Sequence, residues 1–309
     1  MPNGTDLSKM YEFLGLGFLA AQLPFSAAAS SAVSSSLTSK FNTSFLSSPT
    51  FAYSAGGKAV CVSANIPVPV NASNIDITVT APANTAALTN FFRDLFTVGS
   101  TTAQSAIGGP VQVTGTYSIF SKLCVPVTGP IKPAVHFLTH GGTTDYTYWD
   151  FASNYSYVDA AAAKGYATFS YDRLGTGKSD HPDPIKVVQV GVQTVLAHTL
   201  VTYLKAGKCG VSFTSVIGVG HSLGSALTQA VSASYPSDFS TLLLTGHSMF
   251  QGGVSIGLAS EASTVAHEIS LPQFQGLPNG YITEASLPQA IQFPFFYYPH
   301  FDENGMPEP

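Results

Sequence analysis

Five consecutive residues, Gly220-His221-Ser222-Leu223-Gly224, constrain this chain more than any others. A short apolar run, Ser215-Val216-Ile217-Gly218-Val219, precedes them, and residues 225–235 follow with few breakers until Pro236. The pattern G-x-S-x-G between a buried strand and a helix predicts a sharp turn that leaves the serine hydroxyl standing out of the chain. Such a turn strains the backbone at the serine, and side chains at the flanking positions would collide, which accounts for the glycines. The bend also aims the Leu223 N–H, at the start of the helix, toward an oxygen that gains charge during acyl transfer. Ser222 is therefore the candidate nucleophile and Leu223 a candidate oxyanion donor.

Three more apolar runs lack polar alternation: Val135-His136-Phe137-Leu138-Thr139, Ala167-Thr168-Phe169-Ser170-Tyr171 and Leu242-Leu243-Leu244. Residues 187–204 and 225–235 read as helices between them. Buried strands interleaved with helices imply an α/β fold, a mostly parallel sheet with helices on both faces. Upstream, residues 59–62, 75–79 and 111–119 alternate like half-buried strands, and residues 90–96 suggest a short helix. The Ser/Thr-rich residues 30–50 read as a linker without a packing pattern. Residues 51–250 form the core, and residues 251–309 read as an incomplete cap-like insertion, helical over 252–268 and then rich in Pro, Gly and aromatics.

The run ending at Thr139 opens into His140-Gly141-Gly142. An oxyanion site needs a second backbone N–H from a loop beside the nucleophile, and glycines let that loop come close. Gly142 is the expected donor, with Gly141 next. A neighbouring segment, Tyr171-Asp172-Arg173-Leu174-Gly175-Thr176-Gly177-Lys178-Ser179, ends like a phosphate-binding loop. That motif requires glycine at position 172, where Asp stands, and a following helix, where His181-Pro182-Asp183-Pro184 stands instead. The better expectation is structural: Asp172 and Arg173 pair and order the loop beside the site.

Charged residues make up 9% of the 309 residues, against about 25% in an average soluble domain, and the net charge is -5. No basic surface for nucleic acid follows from this balance. No apolar run reaches the roughly 18 residues of a spanning helix. Residues 1–29 read as a secretory signal peptide, because the apolar residues 13–21 precede Ser26-Ala27-Ala28-Ala29, although Asp6 and Glu12 offset Lys9; an amphipathic N-terminus is the alternative. Asn3, Asn42, Asn71 and Asn154 open glycosylation acceptors for a chain that enters the secretory pathway. Of Cys61, Cys124 and Cys209, the first two are the choice for a disulfide because both follow strand-like runs, with three buried thiols as the other reading.

Thr139-His140-Gly141, the segment from Tyr171 to Gly177, Gly220-His221-Ser222-Leu223-Gly224 and Leu244-Thr245-Gly246 together resemble the alpha/beta-hydrolase family. More narrowly they resemble its secreted fungal members of unassigned substrate, to which Tyr146-Thr147-Tyr148-Trp149-Asp150-Phe151, Leu277-Pro278-Asn279-Gly280-Tyr281 and Phe296-Tyr297-Tyr298-Pro299 are also similar. The resemblance spans roughly residues 51–301. It implies the alpha/beta-hydrolase fold and a triad in the order nucleophile, acid, histidine, the last two on loops after later strands. Downstream of Ser222 stand Asp238, Glu261, Glu268, Glu284, Asp302, Glu303 and Glu308, with His247, His267 and His300. None follows a recognisable late strand, and two further βα units of roughly 30 residues each would be needed to carry the pair. The expectation is a chain truncated at its C-terminus, lacking the last strands and both triad partners, with Leu242-Leu243-Leu244 as an open sheet edge. His221 is expected to pack behind the elbow and His247 to line the cleft.

Ser at position 222 argues against epoxide hydrolases and haloalkane dehalogenases of this fold, which need a carboxylate nucleophile. The expected activity is cofactor-free and metal-free hydrolysis of an ester or related acyl bond in a small, apolar molecule, through an acyl-enzyme on Ser222. A truncated chain would lose it. An acyltransferase and a non-catalytic hydrolase-fold binding protein are the competing readings.

Overall fold

The computed structural model describes residues 33–248, 260–284, 290 and 295–297. Seven strands build one sheet in the order β1-β2-β3-β5-β4-β6-β7: β1 (Ser47–Tyr53), β2 (Ala59–Ile77), β3 (Ile107–Pro126), β4 (Ala134–Thr139), β5 (Ala167–Tyr171), β6 (Ser215–His221) and β7 (Thr241–Thr245). The four strands β5-β4-β6-β7 are mutually parallel, and an antiparallel ribbon of β1, β2 and β3 continues the sheet from β5. The helices are α1 (Ser35–Thr38), α2 (Thr85–Phe96), α3 (Thr102–Ala106), α4 (Tyr157–Ala162), α5 (Val190–Lys205) and α6 (Leu223–Ser234).

Every residue of β5 is buried, as is all of β4 beyond Ala134, because helices cover both faces. On one face Val192, Leu196 and Leu200 of α5 and Val231 of α6 pack on Phe137, Phe169 and Tyr171. On the other, Val158 and Ala162 of α4 meet Trp149, Leu138 and Val219. Continuous apolar runs therefore match strands with no solvent face. Among the described residues, no helix is long and apolar enough to cross a membrane.

Three expectations need correction. Residues 59–62 and 75–77 belong to one 19-residue strand, with Thr78 and Val79 beyond its end, because Ala64, Ile66, Val68, Val70 and Ala72 are buried in alternation between them. Pro67 and Pro69 disguise that alternation. They are tolerated because β1 pairs with β2 only up to Asn65, leaving the far stretch one free edge. Residues 33–50 are no linker: Phe41 is buried, and Lys40 Nζ donates to the carbonyls of Pro126 and Val127 at 2.7 and 2.9 Å. Sparse apolar anchors among serines were enough to dock the segment. The third correction concerns residues 261–268: helical structure stops at Ser260, and the strand β8 (Thr264–Val265) and a single 3-10 turn follow; residues 252–259 lie outside those described. β8 pairs with β9 (Ile282–Thr283), and Val265 and Ile282 pack on Leu88 and Phe92 of α2.

Cys61 and Cys124 lie directly opposite each other in the β2–β3 ladder and form a disulfide, while Cys209 is a buried thiol. Among the described residues β7 is the last strand of the sheet, and its Leu243 is 43% exposed.

Candidate active site

Ser222 stands between the last residue of β6 and the first of α6, at φ 52° and ψ -121°. Few residues other than glycine hold a positive φ without support from their surroundings. Here the support is local: Ser222 N donates to Thr245 O at 2.9 Å, and Ser225 Oγ donates to the same carbonyl at 2.9 Å. A Cβ on Gly220 would lie 2.5 Å from Gly224 O, and one on Gly224 would lie 2.1 Å from Thr139 O. Both flanking glycines are thus required by backbone, not by a movable side chain. The Ser222 side is exposed, and Leu223 occupies the first helical position, where a backbone N–H has no partner within the helix.

The loop after β4 presses on this turn. A Cβ on Gly141 would come within 3.3 Å of Ser222 Cβ and of His221 Cδ2, whereas a Cβ on Gly142 would meet nothing within 4 Å. Close approach therefore explains the first glycine and not the second. The carbonyl of Gly141 accepts from Arg173 Nη2 at 2.9 Å and from His140 Nδ1 at 3.0 Å. In a trans peptide the next N–H points the opposite way, so anchoring this carbonyl fixes the direction of the Gly142 N–H.

His140 is fully buried, and burial pushes its imidazole well below the usual range, with the Arg173 charge acting the same way. Its Nε2 accepts from Arg173 N at 3.1 Å, so the proton sits on Nδ1. Both nitrogens are occupied in holding the loop, and His140 is not free to act as a base.

Asp172 and Arg173 do not pair as expected: among the described ion pairs none joins them. The Asp172 carboxylate accepts from the backbone N–H groups of Tyr146 at 2.9 Å and Lys178 at 2.8 Å. Gly177, at φ 54°, wraps so closely that a Cβ there would sit 2.2 Å from the carboxylate. Burial, and next the charge of Asp145, push Asp172 up to about 7. Burial lowers Arg173 to about 10, and its Nε has no partner. The segment 171–179 orders the loop beside the site, and the guanidinium's partner lies 32 residues upstream in sequence.

The ring of His221 stacks on Tyr148 with centroids 4.6 Å apart, and its Nδ1 lies 3.1 Å from Thr245 Oγ1. His247 follows β7 and is half-buried, its Nε2 without a partner. Among the described residues one histidine–carboxylate pair occurs, His198 Nδ1 to Asp238 Oδ2 at 2.7 Å. Asp238 precedes β7, and the parallel register from Ile217↔Thr241 to His221↔Thr245 puts Ser222 at the opposite end of the sheet. That pair cannot serve the serine. Of the other candidate acids, Glu268 accepts from Thr85 N at 2.7 Å, far from this loop in role, while Glu261 and Glu284 are buried. Among the described residues no histidine ring bonds Ser222; His300, Asp302, Glu303 and Glu308 lie outside them. No group of three or more metal-ligating side chains occurs among the described residues.

A parallel sheet with helices on both faces, carrying a strand–serine–helix turn, defines an alpha/beta hydrolase. The model of the alpha/beta hydrolase family matches residues 137–303, and the chain belongs to that family. Its structure is similar to that of an esterase from Exiguobacterium antarcticum, at 17% identity over 47% of this chain and 52% of that one, with a TM-score of 0.35. It is likewise similar to an alpha/beta hydrolase fold protein from Burkholderia ambifaria (25% identity, 47% and 48% covered, TM-score 0.34). A proline iminopeptidase from Mycobacterium smegmatis is a third (19% identity, 41% and 39% covered, TM-score 0.33). The chain spans between about a third and a half of the length of the solved structures it matches. No curated protein matches the sequence.

Proposed function

We propose that the protein is a serine hydrolase that cleaves an ester or related acyl bond of a small, apolar molecule through an acyl-enzyme on Ser222. The observation that carries this reading is the strained Ser222 backbone, at φ 52°, held in place beside Gly141. A fold has little reason to sustain such a geometry unless the exposed hydroxyl is used. In this reading the Leu223 and Gly142 N–H groups stabilise the charge that develops on the acyl oxygen. A base and its orienting carboxylate complete the reaction.

Hydrolysis of 4-nitrophenyl butyrate tests the proposal: turnover that disappears in Ser222→Ala supports it, and turnover that survives the substitution refutes it. A specific observation favours a second reading, a non-catalytic protein with a hydrolase fold, since no histidine among the described residues reaches Ser222. That protein would bind apolar esters without consuming them. An acyltransferase would share the acyl-enzyme and pass it to an alcohol or amine acceptor.

The protein is also proposed to be secreted. The Cys61–Cys124 bond suits an oxidising compartment, and Asn42, Asn71 and Asn154 are exposed. A glycosidase-sensitive mass in the medium of expressing cells tests that proposal; an unglycosylated protein retained in the cytosol refutes it.

A further inference from the structure

Two glutamates with no part in the chemistry above meet beside the oxyanion loop. Glu261 lies just before β8 and Glu284 just after β9, and the antiparallel pairing of Thr264 with Thr283 brings those ends together. Glu284 is 4% exposed and is hydrogen-bonded by Thr143. Thr143, at φ 55°, is two residues beyond Gly141, whose backbone touches Ser222. Glu261 is 9% exposed, and its Oε2 is buried without any hydrogen-bond partner. Burial pushes Glu261 up to about 7; burial first, and then the charge of Glu261, push Glu284 up to about 8. No cation contributes to either shift. Burying acids without a partner is costly, and a carboxyl oxygen left unpaired forfeits the bond it had with water.

We propose that Glu261, Glu284 and Thr143 form a subsite for the ammonium group of an amine-bearing acyl substrate whose carbonyl faces Ser222. The proposal rests on the serine-hydrolase reading of Ser222 and revises its substrate class, from an apolar molecule to one that carries an ammonium group. An ammonium group presents three N–H donors. Three oxygens stand ready to accept them: the unpaired Oε2 of Glu261, a Glu284 carboxylate oxygen, and the lone pairs that Thr143 Oγ1 keeps while donating. Charge-assisted bonds of this kind are about twice as strong as neutral ones. A divalent metal fits less well, because calcium and magnesium need about six oxygen ligands or more. The loop from Gly141 to Thr143 joins the subsite to the nucleophile, so one rigid segment sets the distance between the cation and the reacting carbonyl.

The test uses two fluorophosphonates of equal chain length, one ending in a primary ammonium and the other in a methyl group, with Ser222 labelling rates compared at pH 7. The ammonium probe is expected to react at least about tenfold faster, a difference of about 1.4 kcal/mol. That ratio is expected to collapse toward one in the double variant E261Q/E284Q. Equal rates, or a ratio that survives the double substitution, overturn the subsite while leaving the nucleophile intact. If neither probe labels Ser222, the hydrolase reading fails, and calorimetry decides the subsite with n-butylammonium chloride against n-butanol. Saturable binding of the cation alone upholds it. No binding, or tighter binding of calcium chloride than of the amine, overturns it. These wild-type measurements stand even if the double variant does not fold.

Discussion

The guanidinium of Arg173 donates a 2.9 Å hydrogen bond to the carbonyl oxygen of Gly141, the residue whose backbone presses on Ser222. A fully buried cation with one backbone carbonyl as its side-chain partner is an expensive device. Its effect is to hold one peptide plane, and with it the direction of the Gly142 N–H.

Replacing Arg173 by Met keeps the volume and removes the poorly paired charge, so stability is expected to change by no more than about 1 kcal/mol. The freed peptide plane should cost the reactivity of Ser222 about 10- to 100-fold. Urea melts and fluorophosphonate labelling rates on the same samples check both. A parallel loss of stability and reactivity would show that Arg173 is a fold residue only.

Alanine at the glycines should separate contact from freedom. Gly224→Ala drives a Cβ into Thr139 O and is expected to cost about 3 kcal/mol or more. Gly142→Ala meets nothing within 4 Å and keeps its N–H, so it should alter the melting temperature little. Thermal unfolding of the two variants checks the contrast.

Ser222 carries backbone strain at φ 52° that glycine would not feel. Ser222→Gly is expected to stabilise the protein by about 1 kcal/mol while abolishing labelling. A destabilised Gly variant would mean that the surroundings, not the residue type, set the strain.

The Cys61–Cys124 bond closes a sequence separation of 63 residues. Its removal in Cys61→Ser with Cys124→Ser should cost about 2–4 kcal/mol, measured by denaturant titration. Burial pushes the Cys209 thiol up to about 12, so it should resist thiol reagents until the chain unfolds.

Glu261 and Glu284 have carboxyls raised from 4.5 to about 7 and about 8. The folded state binds their protons more tightly than the unfolded chain does, so the stability they contribute is complete below about pH 4.5. It is lost as pH rises through the folded values. Among the described residues, the groups that act on them are each other and the Thr143 hydroxyl. Asp172, also raised, and His140, lowered, titrate as a background common to both proteins compared. Relative to E261Q/E284Q, the wild type should therefore lose melting temperature between pH 5 and pH 8. A constant difference across that range would contradict the assignment.

In the parallel half of the sheet, β4 and β5 were legible because they are buried on both faces and carry no polar alternation, and β6 because G-x-S-x-G has only one compatible turn. The ribbon was half legible. Prolines at 67 and 69 broke the visible pattern of β2, and only the free edge beyond Asn65 makes them harmless. The docking of Phe41 rests on one aromatic residue in a serine-rich stretch, too little for periodicity to register. Within the site, the close glycine at 141 and the Arg173 bond to it depend on contacts across separate loops, which spacing does not encode. The same holds for Glu261 and Glu284, brought together by a two-residue ladder that no sequence period announces.

The central claim is that Ser222 is an activated nucleophile. Intact and peptide mass spectrometry after treatment with a neutral fluorophosphonate tests it most directly. The account predicts one adduct, on the peptide holding Ser222, and none in Ser222→Ala. An unmodified Ser222 under conditions that label a known serine esterase would contradict it.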